Sequence, residues 1–173
     1  QLKNNILKER DVLFLPEFEI AKIAENETAY EHRLNKSKYD LEDIYEVASL
    51  SGFQDRKTLK QQLNALKSRN KFCRYWALMG LKSHTDKSRF SAKLIGCLED
   101  SYQPNAVIAA SILYESNTNK RATEVLQKAI SSQEDHISNL ALQQLMYQSN
   151  ASDFKEIIQN MEAEQLELPK NLR

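Results

Sequence analysis

Between residues 40 and 163, apolar side chains return at helical spacing. Leu41, Ile44, Tyr45 and Ala48 stand at i, i+3, i+4 and i+7, one stripe along a helix. Asp40 suits an N-cap there, because its carboxylate accepts from the open amides of the first turn. Gly52 suits a left-handed position just past the end, which glycine adopts without penalty. A helix is then predicted over residues 56–68, with Leu59, Leu63 and Leu66 inward. Asn70 opens the next, over 71–82. Asp86 is the expected cap of a further helix that turns Phe90, Leu94, Ile95 and Leu98 inward. Pro104 opens a helix over 104–114, since proline is tolerated in a first turn. The next helix covers 120–130, with Val125, Leu126 and Ile130 inward. Ser132 and Asp135 form an S-x-x-D capping pair before a helix running to about 148. A last helix over 151–163 buries Phe154, Ile157, Ile158 and Met161, and its polar back suits a terminal position.

Laid over one another, these helices repeat. Ala77, Ala109 and Ala141 recur at intervals of 32 residues. Before each alanine stands a large apolar residue: Trp76, Ile108, Leu140. Four places after each stands a leucine: Leu81, Leu113, Leu145. A fixed period of this length predicts an all-α fold, an α-solenoid of about three HEAT-like helix pairs and a terminal helix. In such an array each pair is too apolar on one side to stand alone, and the alanines let neighbouring helices approach. Trp76 is read as the largest core anchor. Residues 1–39 are expected to be an irregular or extended N-terminal segment, with a short helix from Pro16 to about residue 24 that turns Phe18, Ala21 and Ile20 inward. Residues 26–38 read as a polar loop, 40–163 as the repeat domain and 164–173 as a tail.

Composition narrows the function. Lys+Arg and Asp+Glu balance at 24 each. A protein held to phosphates needs a basic excess or stripe, so no nucleic-acid partner is expected. No apolar run approaches the ~20 residues of a membrane span. Only three glycines and three prolines are present, too few for a fold rich in tight turns. The chain starts at Gln1 without a signal peptide, so it is read as a piece of a longer or processed protein.

Candidate chemistry is sparse. His32, His84 and His136 stand singly in different elements. No metal, cofactor or catalytic motif is present: no H-E-x-x-H, no C-x-x-C, no glycine-rich phosphate loop. Cys73 and Cys97 lie in apolar helical stretches and read as small buried residues. Three N-x-S/T triplets occur, a motif too short to carry weight. The inner helices of a helical-pair solenoid usually line its concave side. Arg74, Met79, Lys82, Ser111, Tyr114, Asn139 and Gln143 are therefore the candidate contacts. They form no single-sign patch and no aromatic ladder, which favours a protein partner over a nucleic acid.

Three stretches carry a resemblance. Arg74-Tyr75-Trp76-Ala77-Leu78-Met79-Gly80-Leu81 closely resembles the R-Y-W-A-A-x-G-L signature of the HEAT-like repeats that follow the catalytic domain of many bacterial sulfatases. Residues 39–48, Y-D-L-E-D-I-Y-E-V-A, look like the helix before those repeats. Asp11 with Phe14-Leu15-Pro16-Glu17 resembles their D-x-G-F-L-P-E linking segment, with Val12-Leu13 in place of x-Gly. The family's nucleophile, a formylglycine in a C/S-x-P-x-R motif beside acidic calcium ligands, has no counterpart, because Arg74-Tyr75-Trp76 follows Cys73. The resemblance implies a non-catalytic accessory region that packs on a sulfatase-like catalytic domain, periplasmic or secreted. The alternative is a free-standing adaptor that grips a protein through its concave face.

Overall fold

A computed structural model describes residues 15, 20–22, 24, 26–28, 31–32, 39, 41–116 and 119–146. Every regular element among them is helical, and no strand occurs. The Asp40 cap, the Phe18 position, the helix over 151–163 and the tail lie outside the described residues. The chain divides into two compact units, Gln1–Ser83 and His84–Arg173.

In the first unit, α1 spans Leu41–Ala48, α2 Arg56–Ala65 and α3 Lys71–Lys82. The α1 stripe is as expected: Leu41, Ile44 and Ala48 are buried and Tyr45 half-buried. Its end is not. The helix stops at Ala48, and Gly52 is not left-handed. Tight turns finish it instead, with Ser51 Oγ donating to the Ala48 carbonyl at 2.8 Å and Ser49 Oγ to that of Glu46 at 2.7 Å. Serine hydroxyls thus satisfy carbonyls that a glycine terminus would leave to the backbone.

Asp55 caps α2. Its Oδ1 accepts from the Lys57 and Thr58 amides at 2.9 and 3.0 Å, and Oδ2 accepts from the Thr58 hydroxyl at 2.6 Å. That hydroxyl first, and the Thr58 amide next, hold the Asp55 carboxyl below its usual 3.8. The cap is therefore at full strength above the unfolded value and is lost as pH falls through the lower folded one. Below pH 3.8, amide exchange at Lys57 and Thr58, corrected for intrinsic rate, should speed up relative to the amides of α3. Equal slowing or speeding in both places would contradict the cap.

The buried face of α2 is Thr58, Leu59 and Gln62, while Leu63 and Leu66 are only half-buried. The helix ends at Ala65, three residues short of the expected 68. Gln62 is fully buried, and its Nε2 donates to the Leu50 carbonyl at 2.9 Å. α3 packs against both α1 and α2, and Gly80 is where the Gln62 amide crosses it. A Cβ on Gly80 would clash with the amide nitrogen and lie 3.0 Å from Gln62 Cδ. Gly80→Ala gains about 1 kcal/mol of helix propensity. Displacing a buried amide from its acceptor costs about 1–3 kcal/mol. We expect a net loss of about 0–2 kcal/mol, turning into a gain of about 1 kcal/mol in a Gln62→Ala background. Additive urea midpoints across that double-mutant cycle would refute the contact.

Asn70 caps α3 as expected, its Oδ1 accepting from the Phe72 amide at 2.9 Å. At the other end, Ser83 Oγ lies 2.7 Å from the Gly80 carbonyl and 3.0 Å from that of Ser51. Gln54 Nε2 donates to the Ser83 carbonyl at 3.0 Å. The end of α3 is thereby sewn to the turn after α1.

Leu15, Ile20, Ala24 and His32 are buried, whereas Ala21, expected inward, is exposed. Thr28 and Glu31, in the stretch read as loop, form a reciprocal cap. Glu31 Oε2 accepts from the Thr28 amide at 3.0 Å, and Thr28 Oγ1 accepts from the Glu31 amide at 3.2 Å.

The second unit is built round α5, Gln103–Ser116. Every residue from Pro104 to Tyr114 is buried, the mark of a helix covered on all sides. α6, Lys120–Ile130, and α7, Asp135–Met146, pack against it and each other. Ala122, Leu126, Ala129 and Ile130 form the buried stripe of α6, and Val125 is half-buried. Asn119 caps α6 through the Ala122 amide at 3.3 Å. Before α7 the expected Ser132–Asp135 pair is not made: Ser132 Oγ accepts from Glu134 N–H at 3.1 Å, and Asp135 is already the first helical residue.

The helix expected after Asp86 is broken. A 3-10 turn at Lys87–Arg89, a single turn α4 at Ser91–Leu94 and a second 3-10 turn at Ile95–Glu99 take its place. The Asp86 carboxylate accepts from the Ser88 hydroxyl rather than from a first-turn amide. Phe90 leaves the helical region at φ −139°, and Gly96 weakens an α-helix by about 1 kcal/mol relative to alanine. Phe90, Leu94 and Leu98 are buried as expected, but Ile95 is turned out.

The repeat positions separate cleanly. Ala77, Ala109 and Ala141 are all fully buried, and Leu81, Leu113 and Leu145 are at most 3% exposed. Of the residues before the alanines only Ile108 is fully buried; Trp76 and Leu140 are half-buried. Trp76 is not the core anchor of its unit. Positions four apart share a helix face, while the preceding residue sits about 100° away and is covered only where a helix is enclosed all round.

Candidate functional site

The candidate contacts fall in different units. Arg74 turns its guanidinium back on the chain: Nη1 donates to the Ser68 carbonyl at 2.9 Å and the Arg69 carbonyl at 3.2 Å. It holds the connection between α2 and α3. Met79 and Lys82 are half-buried. With Lys71 and Tyr75 they stand at i, i+4, i+8 and i+11 along α3, all half-buried, on the side away from Ala77 and Leu81. Beside this stripe lies Trp76, its ring edge-to-face with Tyr75 at 5.7 Å and 87°. Burial pushes the Tyr75 phenol above its usual 10.0. Tyr, Trp and Met at a half-covered surface are the residue types that concentrate in protein interfaces. Tyr75 was not among the expected contacts; its place four before Met79 was the available signal.

In the second unit Ser111 has no exposed surface and Tyr114 is 9% exposed, so neither side chain stands open as a groove contact. Ser111 Oγ donates to the Ile108 carbonyl at 2.8 Å and lies 3.5 Å from Gln144 Oε1, tying α5 to α7. The burial of α5 on every side is the physical reason. Asn139 is half-buried and Gln143 exposed.

A second feature was missed by sequence. Ser91, Ala92, Ile95, Leu113, Lys120 and Arg121, with the Asn119 cap, line a cleft of about 420 Å³. Ile95, expected inward, is 38% exposed there. Gly96 and the break it sits in were the signal.

His84 is buried with its ring against Phe90 at 5.7 Å. His32 Nδ1 lies 3.0 Å from Glu27 Oε2, and its ring meets Tyr39 edge-on at 6.3 Å. His136 Nε2 is 3.4 Å from Glu134 Oε2. No group of three or more His, Cys, Asp and Glu is placed to hold a metal among the described residues. The Cys73 side chain is buried and that of Cys97 half-buried. No described helix is long and apolar enough to cross a membrane.

Comparison with protein families, with curated proteins and with solved structures finds no match to this chain.

Proposed function

We propose that this chain is a non-catalytic helical-repeat scaffold. In this reading it is an α-solenoid of HEAT-like pairs that forms the accessory region of a sulfatase-like protein and packs on the catalytic domain. The observation that carries the repeat reading is the matched burial of Ala77, Ala109 and Ala141 with Leu81, Leu113 and Leu145, positions 32 residues apart. What supports the partner is the Arg74–Leu81 segment. Its alanine, glycine and leucines serve the core, Arg74 closes a turn, and Tyr75, Trp76 and Met79 remain half-covered. Half-covered aromatics bury further area when another domain seats on them, at about 25 cal/mol per Å².

The test is co-expression with a sulfatase catalytic domain carrying C/S-x-P-x-R. The two should co-elute at micromolar concentration. A Tyr75→Ser, Trp76→Ser double variant should elute alone with its helical circular dichroism intact. The isolated chain should not hydrolyse an aryl sulfate. Failure to associate, or association indifferent to the double variant, would overturn the reading; hydrolysis by the chain alone would end the non-catalytic claim.

A further inference from the structure

The cleft of the second unit has three properties that belong together. Its floor is apolar: Ala92, Ile95 and Leu113. Its rim carries two adjacent cations, Lys120 and Arg121, at the start of α6. It exists because a helix that the apolar pattern would make continuous is instead broken at Phe90 and Ile95–Glu99. The break turns an isoleucine outward beside those cations. Short 3-10 stretches inside a helical pattern often mark functional places.

The charges are open to exchange. Lys120 makes no ion pair among the described residues. Arg121 pairs with Glu99, but both side chains are more than half exposed. An exposed pair of this kind is worth about 0–1 kcal/mol, so an incoming carboxylate replaces it at little cost. The positive end of the α6 dipole reinforces the same preference. By size, about 420 Å³ corresponds to roughly 14 waters at about 30 Å³ each. That admits one large aliphatic side chain and a neighbouring carboxylate.

We propose that this cleft docks a segment of a partner polypeptide in which a leucine-like side chain is followed by acidic residues. The aliphatic group covers Ile95 and Leu113, and the carboxylates reach Lys120 and Arg121. A peptide is favoured over a small molecule because Ala92, Ile95, Lys120 and Arg121 are all exposed. A cleft that shallow does not enclose a small ligand, whereas small-molecule sites cover most of theirs. A chain crossing the cleft needs no enclosure. The proposal rests on the protein-binding reading above but not on which domain the chain serves.

The test uses the whole ¹⁵N-labelled chain and the probe acetyl-Ala-Leu-Glu-Glu-amide, followed by amide shifts. Saturable shifts are expected at Ile95, Leu113, Lys120 and Arg121, with Kd on the order of 1 mM for so small a contact. Added salt should weaken binding. Lys120→Gln and Ile95→Ser should each weaken it by about tenfold, or ~1.4 kcal/mol. Both residues are exposed, so both variants should keep the parent spectrum elsewhere. Absent or non-saturable shifts would overturn the proposal. So would equal binding of the Leu-Gln-Gln or Ser-Glu-Glu peptides, or equal binding of acetyl-leucine alone. Because the chain is tested by itself, a negative result here leaves the catalytic-domain association standing, and the reverse also holds.

Discussion

Replacing Phe90 with alanine is expected to cost the second unit about 3–5 kcal/mol, the range for emptying a buried aromatic site. Phe90 is 1% exposed and is the largest fully enclosed side chain among the described residues. Its ring stands edge-on to His84 at 74°, a geometry that adds about 0.5–1.5 kcal/mol beyond area. It also sits where the chain leaves helical geometry, so the backbone there has no regular ladder with which to close the cavity. Urea unfolding should show the loss as an earlier transition of the second unit, with α5 amides losing exchange protection. A midpoint unchanged from the parent would place Phe90 outside the core.

Ile108→Ala should cost about 2–5 kcal/mol, and Trp76→Ala less, near 1–2 kcal/mol, although tryptophan is the larger residue. The inversion follows from position. Ile108 lies on α5, enclosed on every side, with no exposed surface; Trp76 lies half-covered on α3. Removing Ile108 leaves a hole that neighbours cannot fill. Removing Trp76 opens a site that water enters freely. Paired denaturation of the two variants decides it, and a larger loss for Trp76→Ala would mean the α3 register is wrong.

The contrast explains what the sequence could and could not tell. Spacing of four placed Ala77 with Leu81 and Ala109 with Leu113 correctly, because residues four apart share a helix face whatever surrounds them. Helix starts with a short polar side chain were legible too, as at Asn70. Three things were not. How much of a helix circumference is covered depends on neighbours, so Ser111 and Tyr114 were placed in a groove though α5 is enclosed all round. A buried polar side chain that crosses a helix carries no pattern, so Gln62 over Gly80 was invisible. Strong apolar spacing also masked a broken helix: Phe90, Leu94 and Leu98 follow the stripe, and only Gly96 hinted that Ile95 would not. Of the candidate site, Met79 and Lys82 keep partial exposure, Arg74 is spent on a turn, and Tyr75 and the Ile95 cleft came from the structure.

The proposed repeat requires three alanines to hold equivalent places in a two-helix unit. The most direct measurement is the unfolding free energy of Ala77→Leu, Ala109→Leu and Ala141→Leu, with Ala92→Leu on the exposed surface as control. Each of the three should lose about 1–3 kcal/mol through overpacking, and the control should stay within about 0.5 kcal/mol of the parent. A leucine accepted at any one of the three without loss would contradict the repeat.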